Sequence, residues 1–290
     1  MPLQTLAAVF LVLVWSTTAL AINWSVAGVP YPLALLSRFA VAALAAFALL
    51  GLARRPWRWS RRLSRVWLFS GLGTSVSMLC SYWASQYIAS GVVAVVFGLI
   101  PLTTALFAHW WLAERLDRHE LVGIALGVAG LATLFSEHLH LDAAGLPGLA
   151  VLLLAVALQS AVAVRLKAEA TELDPFVVNA GALAVCAVVS GSAWLVHGTP
   201  LPVSPIDARA LAAIGYLALI GSVLGFGVYY WLIRECRPGQ VAVLSLVSPA
   251  AALWLGHVLN AEAVSARVLA GTGLILIGLV LHQRNQLLRR

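Results

Sequence analysis

The sequence predicts an all-α polytopic membrane protein, with ten transmembrane helices arranged as two inverted five-helix repeats. Three observations predict it. The 290 residues are 62% hydrophobic and only 10% charged, with a mean hydropathy of +0.95, whereas soluble domains carry about a quarter charged residues. The apolar residues fall into runs near the ~20 residues a helix needs to cross a bilayer. Finally, Gly91, Pro101, His109, Glu114, Gly123 and Gly130 recur as Gly239, Pro249, His257, Glu262, Gly271 and Gly278, each 148 positions later. Gly73, Tyr82 and Trp83 return as Gly221, Tyr230 and Trp231 at the same distance. Paired units in an apolar chain are how many membrane transporters are built.

The runs are 3–22, 31–53, 66–88, 91–113 and 119–136 in a first unit spanning 1–137. They are 146–166, 175–197, 209–232, 239–260 and 265–282 in a second unit spanning 146–284. The first run ends in Ala19-Leu20-Ala21, which mimics a signal-peptidase site, but no Lys or Arg precedes it; it is read as a membrane helix. Turn residues mark the joins, among them Pro30 and Pro32, Gly145 and Pro147, Asp174-Pro175, the Pro200–Pro205 cluster and Pro238-Gly239. Asp117 and Ser265 are placed to N-cap the fifth and tenth helices, and Asp117 with Glu120 fits a capping box. Small residues four apart, Gly123 with Gly127 and Gly221 with Gly225, allow close helix packing, within a monomer or across a dimer.

Charge orients the helices. Of the 18 Arg and Lys residues, all but Arg38, Arg209 and Arg267 fall on the side that holds both termini. Positive loops stay cytoplasmic, so both termini are expected inside a bacterial inner membrane. Five helices is an odd number, so the second unit enters the membrane upside down. The formal charge of +7 lies in these short loops. It reports topology, and no nucleic-acid partner is expected. Cys80, Cys186 and Cys236 show neither a disulfide framework nor metal spacing. No metal and no cofactor is expected.

The pattern resembles the drug/metabolite transporter superfamily, in particular its EamA-type permeases. The resemblance rests on the two five-helix units, on Arg38-Phe39 in the second helix, and on Ala113-Glu114 with Gly123 and Gly130, echoed by Ala261-Glu262 with Gly271 and Gly278. The family usually has Gly where this chain has Ala113 and Ala261. The resemblance implies export of small metabolites, notably amino acids. It also implies a central cavity ringed by helices one, three, four, six, eight and nine, with helices five and ten bracing the outside.

A substrate site near the midplane needs polar or aromatic side chains on facing helices. The residues nominated are Trp15 and Ser16 on helix one, Ser77, Ser81 and Tyr82 on helix three, and Phe97 and Pro101 on helix four. Gln159 on helix six, Tyr229 on helix eight, and Ser245 and Ser248 on helix nine complete the set. Each has a plainer reading. Trp15 fits packing, Tyr82 and Tyr230 fit interfacial anchoring, and Gln159 fits helix–helix hydrogen bonding. Pro101 and Pro249 are expected to interrupt helices four and nine, as gating kinks or static bends. Arg38 reads as a side chain snorkelling to the outer headgroups, or as a ligand for an anionic group of the cargo. Glu114 and Glu262 read as helix-end residues rather than ion ligands. His109 and His257 read as packing residues, with proton carriage as the alternative.

All eleven Asp and Glu fall in loops or at helix ends. Proton-driven pumps commonly place a carboxylate at membrane depth. The function expected is therefore an inner-membrane permease of small metabolites, amino acids first, working by alternating access as a uniporter and as a monomer. Proton-coupled efflux of drugs or quaternary ammonium compounds is the alternative. A membrane-embedded enzyme would need converging catalytic groups; His138 and His140 alone come near a metal pattern.

Overall fold

The computed structural model describes residues 3–54, 58–113, 116–141, 145–170, 172–202, 205–235 and 238–288, with side chains outside the description at 135, 137–141, 233–235, 238–246 and 283–288. Among these residues all regular structure is helical. The first half contains α1 (Leu3–Ser25), α2 (Tyr31–Leu52), α3 (Arg61–Ala84), α4 (Ser90–Phe97), α5 (Ile100–Leu112) and α6 (Arg118–Leu141). The second contains α7 (Gly145–Glu169), α8 (Pro175–His197), α9 (Ala208–Tyr216), a π-helical segment (Leu217–Phe226), α10 (Gly227–Glu235), α11 (Pro238–Asn260) and α12 (Ala266–Leu288). Among the described residues, six rods are long and apolar enough to cross a membrane: Leu3–Ser25, Tyr31–Leu52, Ser90–Leu112, Gly145–Glu169, Pro175–His197 and Ala208–Leu232.

Each expected run is a helix or a broken rod, and the differences have local causes. The third begins at Arg61, five residues early, because the Ser60 hydroxyl accepts from the Leu63 N–H and caps the cationic first turn. The fourth divides at Gly98-Leu99, one turn ahead of Pro101, which sits in the first turn of α5. Its counterpart Pro249 lies inside the unbroken α11, so the expected interruption there does not part the helix. The eighth run changes to π-helix over Leu217–Phe226. The capping box forms as expected: Asp117 N–H donates to Glu120 Oε2 and Glu120 N–H to Asp117 Oδ1, both at 2.8 Å. Ser265 Oγ likewise accepts from Val268 N–H.

The two halves interlock. α1 packs on α9 and α11, while α7 packs on α3 and α5; α2 lies along α8. α6 and α12 form the most extensive helix pair. Its seam is made of the repeated glycines, in crossed pairs. A Cβ at Gly123 would stand 2.5 Å from the Gly278 carbonyl oxygen, and one at Gly130 would stand 2.6 Å from that of Gly271. Rising numbers on α6 meet falling numbers on α12, so the two helices run antiparallel, backbone against backbone.

Two apolar cores flank the middle. One gathers α2, α3, α8 and the π segment around Phe39, Tyr82 and Leu217. The other gathers α4, α7, α11 and α12 around Val95, Leu152 and Leu253. Phe97, at the end of α4, packs against both.

Candidate functional site

The nominated residues fall into three neighbouring groups. The first is aromatic. Trp15 on α1 meets Tyr229 on α10 edge-on, with ring centroids 5.0 Å apart, and Tyr229 leans on Tyr230 at 5.9 Å. Tyr230 stacks on Phe226 of the π segment at 6.4 Å. Below them Thr17 Oγ1 and Tyr216 Oη share a hydrogen bond of 2.6 Å, tying α1 to α9. The hydroxyl of Ser16 is spent on its own helix, donating to Val12 O.

The second group is spread over α3, α5, α7 and α11. Ser77 Oγ donates to Ala155 O on α7 at 2.8 Å, and Ser81 Oγ donates to Ser77 O. These two hydroxyls therefore hold backbone. Ser160 shares a hydrogen bond with Thr103, two residues beyond Pro101. Its neighbour Gln159 differs: its Oε1 is buried without a hydrogen-bond partner, as is Ser248 Oγ on α11. A buried amide oxygen left unpaired costs about 1–3 kcal/mol, so a hydrogen-bond partner brought to Gln159 Oε1 or Ser248 Oγ would offset that cost. Gly98 and Pro249 touch where α4 crosses α11; a Cβ on Gly98 would lie 2.9 Å from Pro249 Cγ. Ser245 lies on α11 with its side chain outside the description.

The third group centres on Arg38. It does not snorkel: it is 1% exposed on α2. Its Nε donates to Ser222 Oγ at 3.0 Å and its Nη1 to Tyr82 Oη at 3.4 Å. The guanidinium carbon stands 5.3 Å from the centroid of the Phe39 ring. Tyr82 itself is 0% exposed, so it is not an interfacial anchor. Ser222 belongs to the π segment, where its hydroxyl donates to Leu217 O, five residues back. Asn179 on α8 donates to the carbonyls of Ser222 and Val223 at 3.2 Å, engaging two main-chain acceptors of that irregular turn. Taking a guanidinium out of water costs roughly several kcal/mol unless it is well paired.

Asn179 and Ser222 are absent from the residues that the sequence points to. Each is a polar residue inside an apolar run, the signal that nominated Gln159. The histidines read as alternative proton carriers are both exposed, and His257 Nδ1 pairs with the Glu262 carbonyl oxygen at 2.9 Å. Glu262 is a helix-end residue, as expected. Its carboxylate accepts from Ser90 N–H and Ser90 Oγ, from Gly91 N–H and from Asn260 Nδ2. Glu114 lies outside the described residues, as do the side chains of His138 and His140. A separate apolar crevice of about 580 Å³ opens between α2, the 201–206 connection and α9, lined by Val29, Leu33, Pro202 and Ile214 among others. None of the nominated residues lines it.

Comparison with known proteins agrees with this architecture. A model described as the EamA-like transporter family matches residues 3–136 and again residues 146–282. An uncharacterized transporter of Archaeoglobus fulgidus is 26% identical over 275 residues, covering 94% of this chain and 95% of that protein. The uncharacterized inner membrane transporter YedA of Escherichia coli is 32% identical over 198 residues, 68% of this chain and 62% of its own length. A probable amino-acid metabolite efflux pump of Salmonella typhimurium is 26% identical over 201 residues, 67% of each chain. A solved structure superposes with a TM-score of 0.69 at 22% identity, over 96% of this chain and 95% of the other.

Proposed function

Because the chain belongs to the EamA-like transporter family, we propose that it is a ten-span inner-membrane permease for small metabolites, amino acids foremost. Both termini face the cytoplasm in this reading, and two inverted five-helix units exchange access between the two solvents. The crossed glycine pairs of α6 and α12 are the observation that carries it. Gly123 meets the repeat partner of Gly130, and Gly130 meets the repeat partner of Gly123. Reciprocal contact of this kind is the mark of a two-fold axis, and an antiparallel pair puts that axis in the membrane plane. The name of the Salmonella relative supports amino acids as the cargo class.

The site groups suit such a cargo. Trp15 and Tyr229 offer an aromatic wall, and Gln159 and Ser248 offer buried neutral polar atoms. We read transport as uniport, since the described carboxylates sit at helix ends and in connections. A buried cation in the helix bundle, Arg38, speaks against cationic drugs as cargo.

The test is uptake of a panel of labelled amino acids into proteoliposomes, with and without an imposed pH gradient. Saturable uptake of a neutral amino acid that equilibrates and no further is the expected result. Absence of uptake across the panel refutes the cargo class. Uphill accumulation driven by the pH gradient refutes uniport.

A further inference from the structure

We propose that Arg38 is the group that recognises the transported molecule, by pairing with a carboxylate on it. The inference rests on the permease reading and names the chemical feature that the permease selects. Arg38 is 1% exposed, yet its hydrogen bonds go only to the neutral hydroxyls of Ser222 and Tyr82. Among the described residues no carboxylate forms an ion pair with it. A guanidinium presents five N–H donors in a planar fork matched to two carboxylate oxygens. Two of its three nitrogens are engaged, and Nη2 points along Gly221, where even an added Cβ would remain 3.8 Å away. Glycine there puts no side chain of its own against Nη2, which makes no hydrogen bond among the described residues.

The fork is also held still. Ser222 Oγ gives its proton to Leu217 O, so toward Arg38 it acts only as an acceptor. Asn179 fixes the same turn through two backbone carbonyls. The position 148 residues before Ser222 is Thr74, whose hydroxyl is buried without a partner and meets no cation. Among the described residues the recognition device therefore occurs once, at the junction of α2, α3 and the π segment, and one monovalent cation matches one monoanion. Tyr229 stands about two turns beyond Ser222 on the same rod, and Trp15 packs on it from α1. A compound with an apolar body and one carboxylate fits both features. The inferred cargo class is small monocarboxylates, amino acids among them.

The experiment uses the full-length protein in proteoliposomes and three matched probes: phenylalanine, 3-phenylpropanoate, which keeps the carboxylate and lacks the amine, and phenethylamine, which keeps the amine and lacks the carboxylate. Wild type is expected to carry the two carboxylates at least about tenfold faster than phenethylamine. Arg38→Gln is expected to raise KM for both carboxylates by about tenfold or more relative to that for phenethylamine, and so to erase the preference. An unchanged carboxylate-to-amine ratio in Arg38→Gln overturns the proposal. So does a wild type that moves neither carboxylate. Uptake of 3-phenylpropanoate alone, sensitive to Arg38, keeps the carboxylate assignment and removes the amino-acid reading. Should Arg38→Gln fail to elute as a monodisperse protein, Tyr82→Phe takes its place. It frees Nη1 and must shift KM for the carboxylates and not for phenethylamine; equal shifts overturn the proposal.

Discussion

Glu262 is the side chain whose removal has the most calculable effect. Its carboxylate receives four hydrogen bonds: 2.6 Å from Ser90 Oγ, 3.0 Å from each of Ser90 N–H and Gly91 N–H, and 3.1 Å from Asn260 Nδ2. The two amides are among the donors that the start of α4 leaves without intrahelical acceptors. A cap supplied by Glu262, 172 positions from Ser90, therefore joins the loop after α11 to the head of α4. Losing a helix cap costs about 0.5–2 kcal/mol, and the interaction of a carboxylate with a helix N-terminus adds about 0.3–1 kcal/mol. Glu262→Ala is thus expected to destabilise by about 1–3 kcal/mol in all. Glu262→Gln keeps one acceptor oxygen and is expected to lose roughly half of that. The assay is thermal unfolding of purified protein in detergent, followed by native tryptophan fluorescence. The expected order of apparent Tm is wild type, Glu262→Gln, Glu262→Ala. An alanine variant that melts with wild type would refute the reasoning, because the start of α4 would then have to find other acceptors at no cost.

Ala113 and Ala261 both adopt left-handed backbone, with φ of 54° and 50°; this conformation costs an L-residue about 1–2 kcal/mol and glycine nothing. Ala113→Gly and Ala261→Gly should each raise apparent Tm, and the double variant should show close to the sum. Gly130→Ala would place a Cβ 2.6 Å from the Gly271 carbonyl oxygen. It should force α6 and α12 apart and lower the yield of folded protein, where Gly273→Ala, which meets nothing within 4 Å, should not. Trp15→Ala should impair amino-acid uptake while retaining thermal stability within about 1–2 kcal/mol, because Trp15 is only half-buried; full uptake would remove it from the site.

Much of this architecture can be read in the sequence because its causes are local. Hydropathy periods mark the rods, and Asp117, Glu120 and Ser265 announce their own helix starts through side chains that bond within three residues. The repeated glycines announce a seam, though not its partner. Where the sequence is silent, the cause is remote. Nothing near Leu217–Phe226 foretells a π segment; its irregular turn is met by Asn179 from α8 and Arg38 from α2. Arg38 itself reads as a snorkelling residue, since its principal partner, Ser222, is 184 positions away. The division at Gly98-Leu99 is likewise prepared by the crossing with Pro249. Among the nominated serines, residue type alone could not tell a hydroxyl consumed by backbone, as in Ser77, from one left unpaired, as in Ser248.

The π segment has no equivalent in α3, the helix that stands 148 positions before it. A carrier whose halves matched throughout would meet its cargo identically from either solvent. On the alternating-access reading, only the second half carries the widened turn and only the first half the guanidinium beside it, so the open-in and open-out forms differ in energy. For a carrier without ion coupling, detailed balance fixes Vmax/KM at one value for both directions of travel. The imbalance must then surface as unequal half-saturation on the two faces, matched by equally unequal maximal velocities.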